Sequence, residues 1–229
     1  MGGQLGVAGA VFFAVALTSR AAWSVEDARC EYYENPLGVD VAQPRLFWKL
    51  NGKERGARQT AYQILVASSA KLLAKDRGDL WDSGKVASDD TLHIRYAGAA
   101  LKSSQQAFWK VRSWNEQDRP SAWSQRAMWT MGVLEPADWA AAQWLGVNDT
   151  NVPNVLLRRA FTVKPGLQRA LVQVCGLGHF ELLVNGKKSG ENLLAPGWTK
   201  YDQTALYETH DVTKLLSRGG NALGITLGN

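Results

Sequence analysis

Apolar and polar residues alternate in short runs along most of this chain, and turn-forming residues separate the runs. Arg45–Leu50 reads RLFWKL and meets Asn51-Gly52, a pair that tolerates positive φ and predicts a turn. Ala61–Ala67, AYQILVA, is dense in residues that suit a pleated, half-buried surface. Within Ala107–Trp114, a strand would put Phe108, Lys110 and Arg112 on one face and Trp109, Val111 and Ser113 on the other. Trp123–Met131 predicts a further strand, and Ser69–Lys75 one short helix. Several short strands within about 100 residues, without a long helix, predict an immunoglobulin-like sandwich.

The segment Glu135-Pro136-Ala137-Asp138 interrupts this pattern and sets a domain division between 133 and 134. Ala170–Gly176 alternates again, and Gly176-Leu177-Gly178 predicts a tight turn. Phe180–Val184 runs into Asn185-Gly186, which predicts a type I′ hairpin because both residues accept positive φ. Ala195–Trp198 reads as a turn, and Asp211 is placed to cap a single helical turn over Val212–Leu216. Gly219-Gly220-Asn221 reads as a turn into a strand over Ala222–Leu227. So apolar a strand beside Asn229 predicts an unfinished sheet, with partners outside these residues.

The first 24 residues are set apart from the fold. Gly6–Leu17 is a 12-residue apolar run, short for a bilayer span and the right length for the core of a secretory signal. Ser19-Arg20-Ala21 and Ala22-Trp23-Ser24 offer two small-x-small cleavage sites, although Met1–Leu5 carries no Lys or Arg. Residues 1–24 are therefore expected to be a signal peptide, and the protein secreted or periplasmic. No other segment approaches the ~18 apolar residues of a membrane span.

Composition narrows the chemistry. The net charge of +5 is scattered, with no basic run of five, so no nucleic-acid partner is expected. Cys30 and Cys175 fall in different predicted domains and are expected to be separate thiols. Ten tryptophans raise the idea of stacking on sugar rings, although most are expected to fill sandwich cores. His93, His179 and His210 lack metal-ligand spacing. There is no nucleophile elbow or phosphate loop, and no pair of carboxylates stands out for glycoside hydrolysis. No catalytic residue is expected here.

Specific strings go further. Cys30–Asp40 (CEYYENPLGVD) with Pro44–Trp48 (PRLFW), Gln59–Ser68 (QTAYQILVAS) and Leu80–Val86 (LWDSGKV) resemble the opening of bacterial α-L-rhamnosidases. Trp109–Arg112 and Trp123-Ser124 are similar to the closing strands of that family's fibronectin-type-III-like domain. Gly176–Leu182, Val184–Lys187, Leu194–Thr199 and Tyr207–Thr213 resemble its second domain. The resemblance covers residues 30–229. It implies an all-β chain: a fibronectin-type-III-like sandwich over 25–133, then a jelly roll over 134–229, truncated at its C-terminal end. It also implies a further β-domain and an (α/α)₆ barrel downstream, where the catalytic acid and base would lie. These residues would then be the non-catalytic leading part of an enzyme that releases terminal α-L-rhamnose with inversion, inactive by themselves. Some relatives bind rhamnose on the jelly roll with help from calcium. By likeness of Glu191–Gly197, Glu191 and Asn192 are the candidate contacts for a rhamnose-containing glycan, and calcium is the one cofactor raised.

Two other readings stay open. One is a stand-alone secreted carbohydrate-binding β-sandwich protein. The other is the accessory part of another multi-domain glycosidase of β-galactosidase-like type, since the Asp211-Val212-Thr213…Asn221 pattern is shared more widely.

Overall fold

The computed structural model describes residues 23–52, 55–139, 142–148 and 152–228. Of the leader expected over 1–24, residues 1–22 lie outside them. Among the described residues the chain is nearly all antiparallel β, with one helical turn and two short 3₁₀ turns.

The first half contains β1 (Trp23–Cys30), β2 (Arg45–Gly52), β3 (Ala61–Ala67), helix α1 (Ala70–Leu73), β4 (Trp81–Asp82), β5 (Val86–Ala87), β6 (Ile94–Arg95), β7 (Gln106–Trp114) and β8 (Ala127–Thr130). One sheet runs β1-β2-β6; the other runs β4-β3-β7-β8, with β5 also on β3. Alternation decides which side chains meet between the sheets. Val25, Leu46, Trp48 and Tyr96 come from one side, and Ile64, Val66, Trp109, Val111 and Trp129 from the other, in one buried cluster. This is the predicted immunoglobulin-like sandwich. Trp109, Val111 and Ser113 face inward as the alternation requires. On the opposite face of β7, Arg112 lies 4.6 Å from the Trp123 ring centroid and Lys110 5.0 Å. Trp123 itself is outside the strand, because β8 begins only at Ala127.

The strings that gave the resemblance are structural here. Glu31 accepts from the Arg45 amide at 2.6 Å and from Arg45 Nη2 at 2.6 Å, and that guanidinium holds its carboxyl below the usual range. Asn35 Oδ1 accepts from the Met128 amide at 2.8 Å. Buried Gln59 accepts from Trp48 Nε1 and donates to the carbonyls of Ser88 and Asp90.

Three expectations are corrected. Asn51 and Gly52 continue β2, because Ser24 and Trp23 pair with them. Trp23, assigned above to the leader, is buried in β1 and donates from Nε1 to Ser113 Oγ at 2.8 Å. Gly219–Asn221 belong to a strand rather than a turn. Helix α1 does fall where predicted, with Ser69 Oγ accepting from the Leu72 amide.

The second half holds β9 (Asn154–Val163), β10 (Leu171–Cys175), β11 (His179–Val184), β12 (Lys187–Lys188), β13 (Tyr207–Asp211) and β14 (Gly219–Gly228). A four-stranded sheet, β12-β11-β14-β9, faces a two-stranded one, β10-β13. Phe180, Leu182 and Val184 of β11 pack with Val174 and Val212. The β11–β12 turn has Asn185 at φ 52° and Gly186 at φ 77°, as the type I′ reading requires. Asp211 Oδ1 accepts from the Thr213 amide at 3.0 Å at the start of a 3₁₀ turn, Thr213–Leu215. Asn221 is buried and fixes the entry to β14. Its amide donates to the carbonyls of Ser217 and Gly219, and its oxygen accepts from the Ser217 amide. Both cysteines are free thiols.

Two buried indoles should respond differently to mutation. Trp48 Nε1 has its partner in Gln59, whereas buried Trp109 Nε1 has none. Trp48→Phe should cost about 1–3 kcal/mol more than Trp109→Phe in equilibrium urea unfolding, because only the first leaves Gln59 with an unmet acceptor. Equal losses would contradict this account.

Candidate functional site at the seam between the two halves

The site begins from two glycines. A Cβ on Gly132 would lie 2.2 Å from Tyr207 Oη, and one on Gly38 2.7 Å from Thr209 Oγ1. Only residues without a side chain let β13 approach the first sandwich this closely. Tyr207 Oη accepts from the Val133 amide at 2.9 Å, and its ring meets Trp139 edge-on at 5.2 Å. Burial pushes the Tyr207 hydroxyl above its ordinary pKa, so it remains a phenol. Two polar links flank it. Arg169 donates to Thr130 Oγ1 at 2.7 Å while pairing with Asp211, and Gln173 donates to Ser104 Oγ at 2.9 Å.

Beside this seam lies a cavity of about 280 Å³, lined by Leu37 and Gly38 from the first half and by Gly190, Asn192 and Tyr207–His210 from the second. Asn192 Nδ2 donates to Glu208 Oε1 at 2.8 Å. Glu208 Oε2 lies 3.3 Å from His210 Nε2, and Ser189 Oγ lies 3.3 Å from His210 Nδ1. Burial is the main influence on His210 and lowers its pKa against the opposing pull of Glu208. Thr209 Oγ1 is buried without a hydrogen-bond partner. Gly190, at φ +84°, leaves room for the imidazole, which a Cβ there would meet at 3.1 Å.

The structure therefore brings Asn192 together with Glu208 and His210, and separates it from Glu191. Glu191 is exposed and makes no hydrogen bond or ion pair with the described residues. The sequence pattern singles out neither residue: Glu208 carries no motif of its own, and His210 is set aside for want of metal-ligand spacing. Their one signal was the i, i+2 spacing that places both on one face of a strand. A carboxylate and an amide side by side suit hydroxyl groups. They suit a resident calcium ion poorly, because it needs six to eight oxygens and these two groups are bonded to each other. No cluster of three or more metal-ligating side chains occurs among the described residues. Nor is any described helix long and apolar enough to cross a membrane.

An immunoglobulin-type sandwich joined through a glycine-lined seam to a second antiparallel β-body defines an all-β protein of the sandwich class. Residues 25–135 match the Rha78A-like N-terminal immunoglobulin domain, and residues 166–229 the α-L-rhamnosidase N-terminal domain. The chain belongs to the α-L-rhamnosidase family, as its N-terminal part. It is 33% identical over 218 residues to an α-L-rhamnosidase of Formosa agariphila, covering 85% of this chain and 23% of that one. The solved structure of an α-L-rhamnosidase from Dictyoglumus thermophilum superposes with TM-score 0.84 at 35% identity, over 90% of this chain and 25% of that one. That of Aspergillus terreus gives 0.76 at 28%, over 90% and 24%. The chain thus spans about a quarter of the length of these relatives.

Two outcomes test the seam. Gly132→Ala should destabilise the protein by about 1–3 kcal/mol, since the added methyl cannot coexist with the Tyr207 hydroxyl. Thermal unfolding should then split into two transitions. The second outcome concerns pH. Because His210 binds its proton more weakly when folded than unfolded, stability is full above the unfolded value near 6.5 and falls as pH drops below it. Melting curves from pH 7.5 to 5 should show this loss, and His210→Gln should show less of it.

Proposed function

We propose that this chain is the non-catalytic leading part of a secreted α-L-rhamnosidase whose downstream domains hydrolyse terminal α-L-rhamnose. The observation that carries the proposal is the match of both β-bodies, in one superposition, to the start of a rhamnosidase about four times longer. The part proposed here supports and positions the catalytic domain and is inactive by itself. The proposed division is a signal peptide, a fibronectin-type-III-like sandwich to residue 133 and a jelly-roll-type domain from 134. Of the two cleavage sites, Ser19-Arg20-Ala21 is favoured, since cutting after Ser24 would remove the first two residue pairs of β1 with β2.

Weak capture of a rhamnose-containing glycan is the second element. Of Glu191 and Asn192, the seam cavity favours Asn192, with Glu208 taking the carboxylate role by geometry. Such capture raises the local substrate concentration for a tethered catalytic domain.

Two measurements test these proposals. The protein translated through the frame beyond codon 229 should hydrolyse an aryl α-L-rhamnoside, and the 229-residue chain should not; activity in the short chain would refute the assignment. L-rhamnose should perturb the amides around Asn192 and Glu208 in an NMR titration, with or without a chelator. Asn192→Ala should weaken that binding at least about tenfold, as expected for a lost hydrogen bond in a charged pair.

A further inference from the structure

Glu208 stands between two side chains in the wall of the seam cavity. Its Oε1 accepts from Asn192 Nδ2 at 2.8 Å, and its Oε2 lies 3.3 Å from His210 Nε2. The Glu208 side chain is 19% exposed and the imidazole 8%, so a ligand entering the cavity meets the carboxylate first. His210 Nδ1 lies 3.3 Å from Ser189 Oγ, while Nε2 is buried without a hydrogen-bond partner. The imidazole thus sits close to Oε2 without bonding to it. Among the described residues that oxygen accepts no hydrogen bond, which leaves it to a ligand hydroxyl. Everything else around the ring is uncharged. Val172 pairs with His210 across β10, and the Phe180 ring of β11 meets it at 6.4 Å. Ser189 and Gly190 pack from the segment after β12, and Leu37 and Gly38 wall the cavity from the first half. Glu208 is the one charged group that acts on His210 among the described residues.

We infer that capture of a glycan hydroxyl by Glu208 and protonation of His210 exclude one another, so that the seam cavity holds its ligand at neutral pH and releases it in acid. This inference rests on the reading of the cavity as a glycan-capture site. An imidazolium carries an N–H on both nitrogens and, once buried, needs a counter-ion. Glu208 Oε2 is the acceptor within reach of Nε2. A charge-assisted hydrogen bond is about twice as strong as a neutral one, so the imidazolium wins Oε2 from a sugar hydroxyl. Burial lowers the His210 pKa, which keeps the ring neutral at pH 7 and lets it gain its proton as pH falls below the ordinary value near 6.5. His210 acts through Glu208 and is a positioning residue, while Glu208 and Asn192 make the contacts.

The test is an NMR titration with L-rhamnose at pH 7.5 and at pH 5, with a dispersed amide spectrum confirming the fold at both. The dissociation constant should be at least about fivefold higher at pH 5. Linkage demands the same factor from the other side: saturating L-rhamnose should lower the midpoint of the His210 imidazole titration by at least about 0.7 pH unit. A histidine with a structural role alone would titrate alike with and without ligand. His210→Gln stays polar but cannot take up the proton, so it should bind L-rhamnose equally at the two pH values. That variant keeps Glu208, so a loss through the carboxylate itself would persist in it and overturn the role of His210. If His210→Gln does not fold, the ligand-linked movement of the wild-type imidazole midpoint decides the question. Equal wild-type binding at both pH values, or a midpoint indifferent to ligand, sinks the switch and leaves glycan capture standing. Absence of binding at either pH sinks both.

Discussion

The close approach of β13 to the first sandwich is the constraint on which the second half depends. It exists because Gly132 and Gly38 have no side chains, and it is held by one phenol hydroxyl accepting from one backbone amide. A buried backbone N–H must find a partner. Here the Val133 amide finds it in the other β-body, which turns a local requirement into a tie between the two. Arg169 and Gln173 repeat the connection on β10 or just ahead of it. The candidate cavity is a by-product of this geometry: β13 contributes Tyr207 to the seam and Glu208 and His210 to the cavity wall.

Polar groups and apolar packing play different roles in the two halves. The first sandwich has a core of large aromatics between a three-stranded and a five-stranded sheet, with Gln59 and Ser113 satisfying two of its indoles. The second has a thinner core that ends partway across its larger sheet. Its order near the turns comes from side-chain amides, with Asn185 and Asn221 bonded to each other at 2.8 Å and to the neighbouring backbone.

Asn51-Gly52 has the composition of a turn, yet Ser24 and Trp23 pair with it and hold it in β2. Asn-Gly tolerates positive φ without requiring it, and pairing across strands decided the matter. The same dipeptide at Asn185-Gly186 does form the turn, because alternating strands flank it on both sides. At Gly219–Asn221, ladder bonds with Val163–Phe161 extended the strand through two glycines.

The sequence by itself determined the fold class, most strand positions, the inward rows of β7 and the type I′ hairpin. Each follows from a period of two or from backbone preferences within a few residues. The strings shared with α-L-rhamnosidases also identified the family before any coordinates. Only the tertiary structure decided which polar groups converge. Asn192 and Glu208 are sixteen residues apart and meet across a loop, whereas Glu191, next in sequence to Asn192, does not join them. Adjacency along a chain fixes direction and not company, because neighbouring side chains leave the backbone on different sides. The seam was illegible for the same reason: nothing near Gly132 in the sequence announces that a tyrosine 75 positions later will occupy the space its missing side chain leaves.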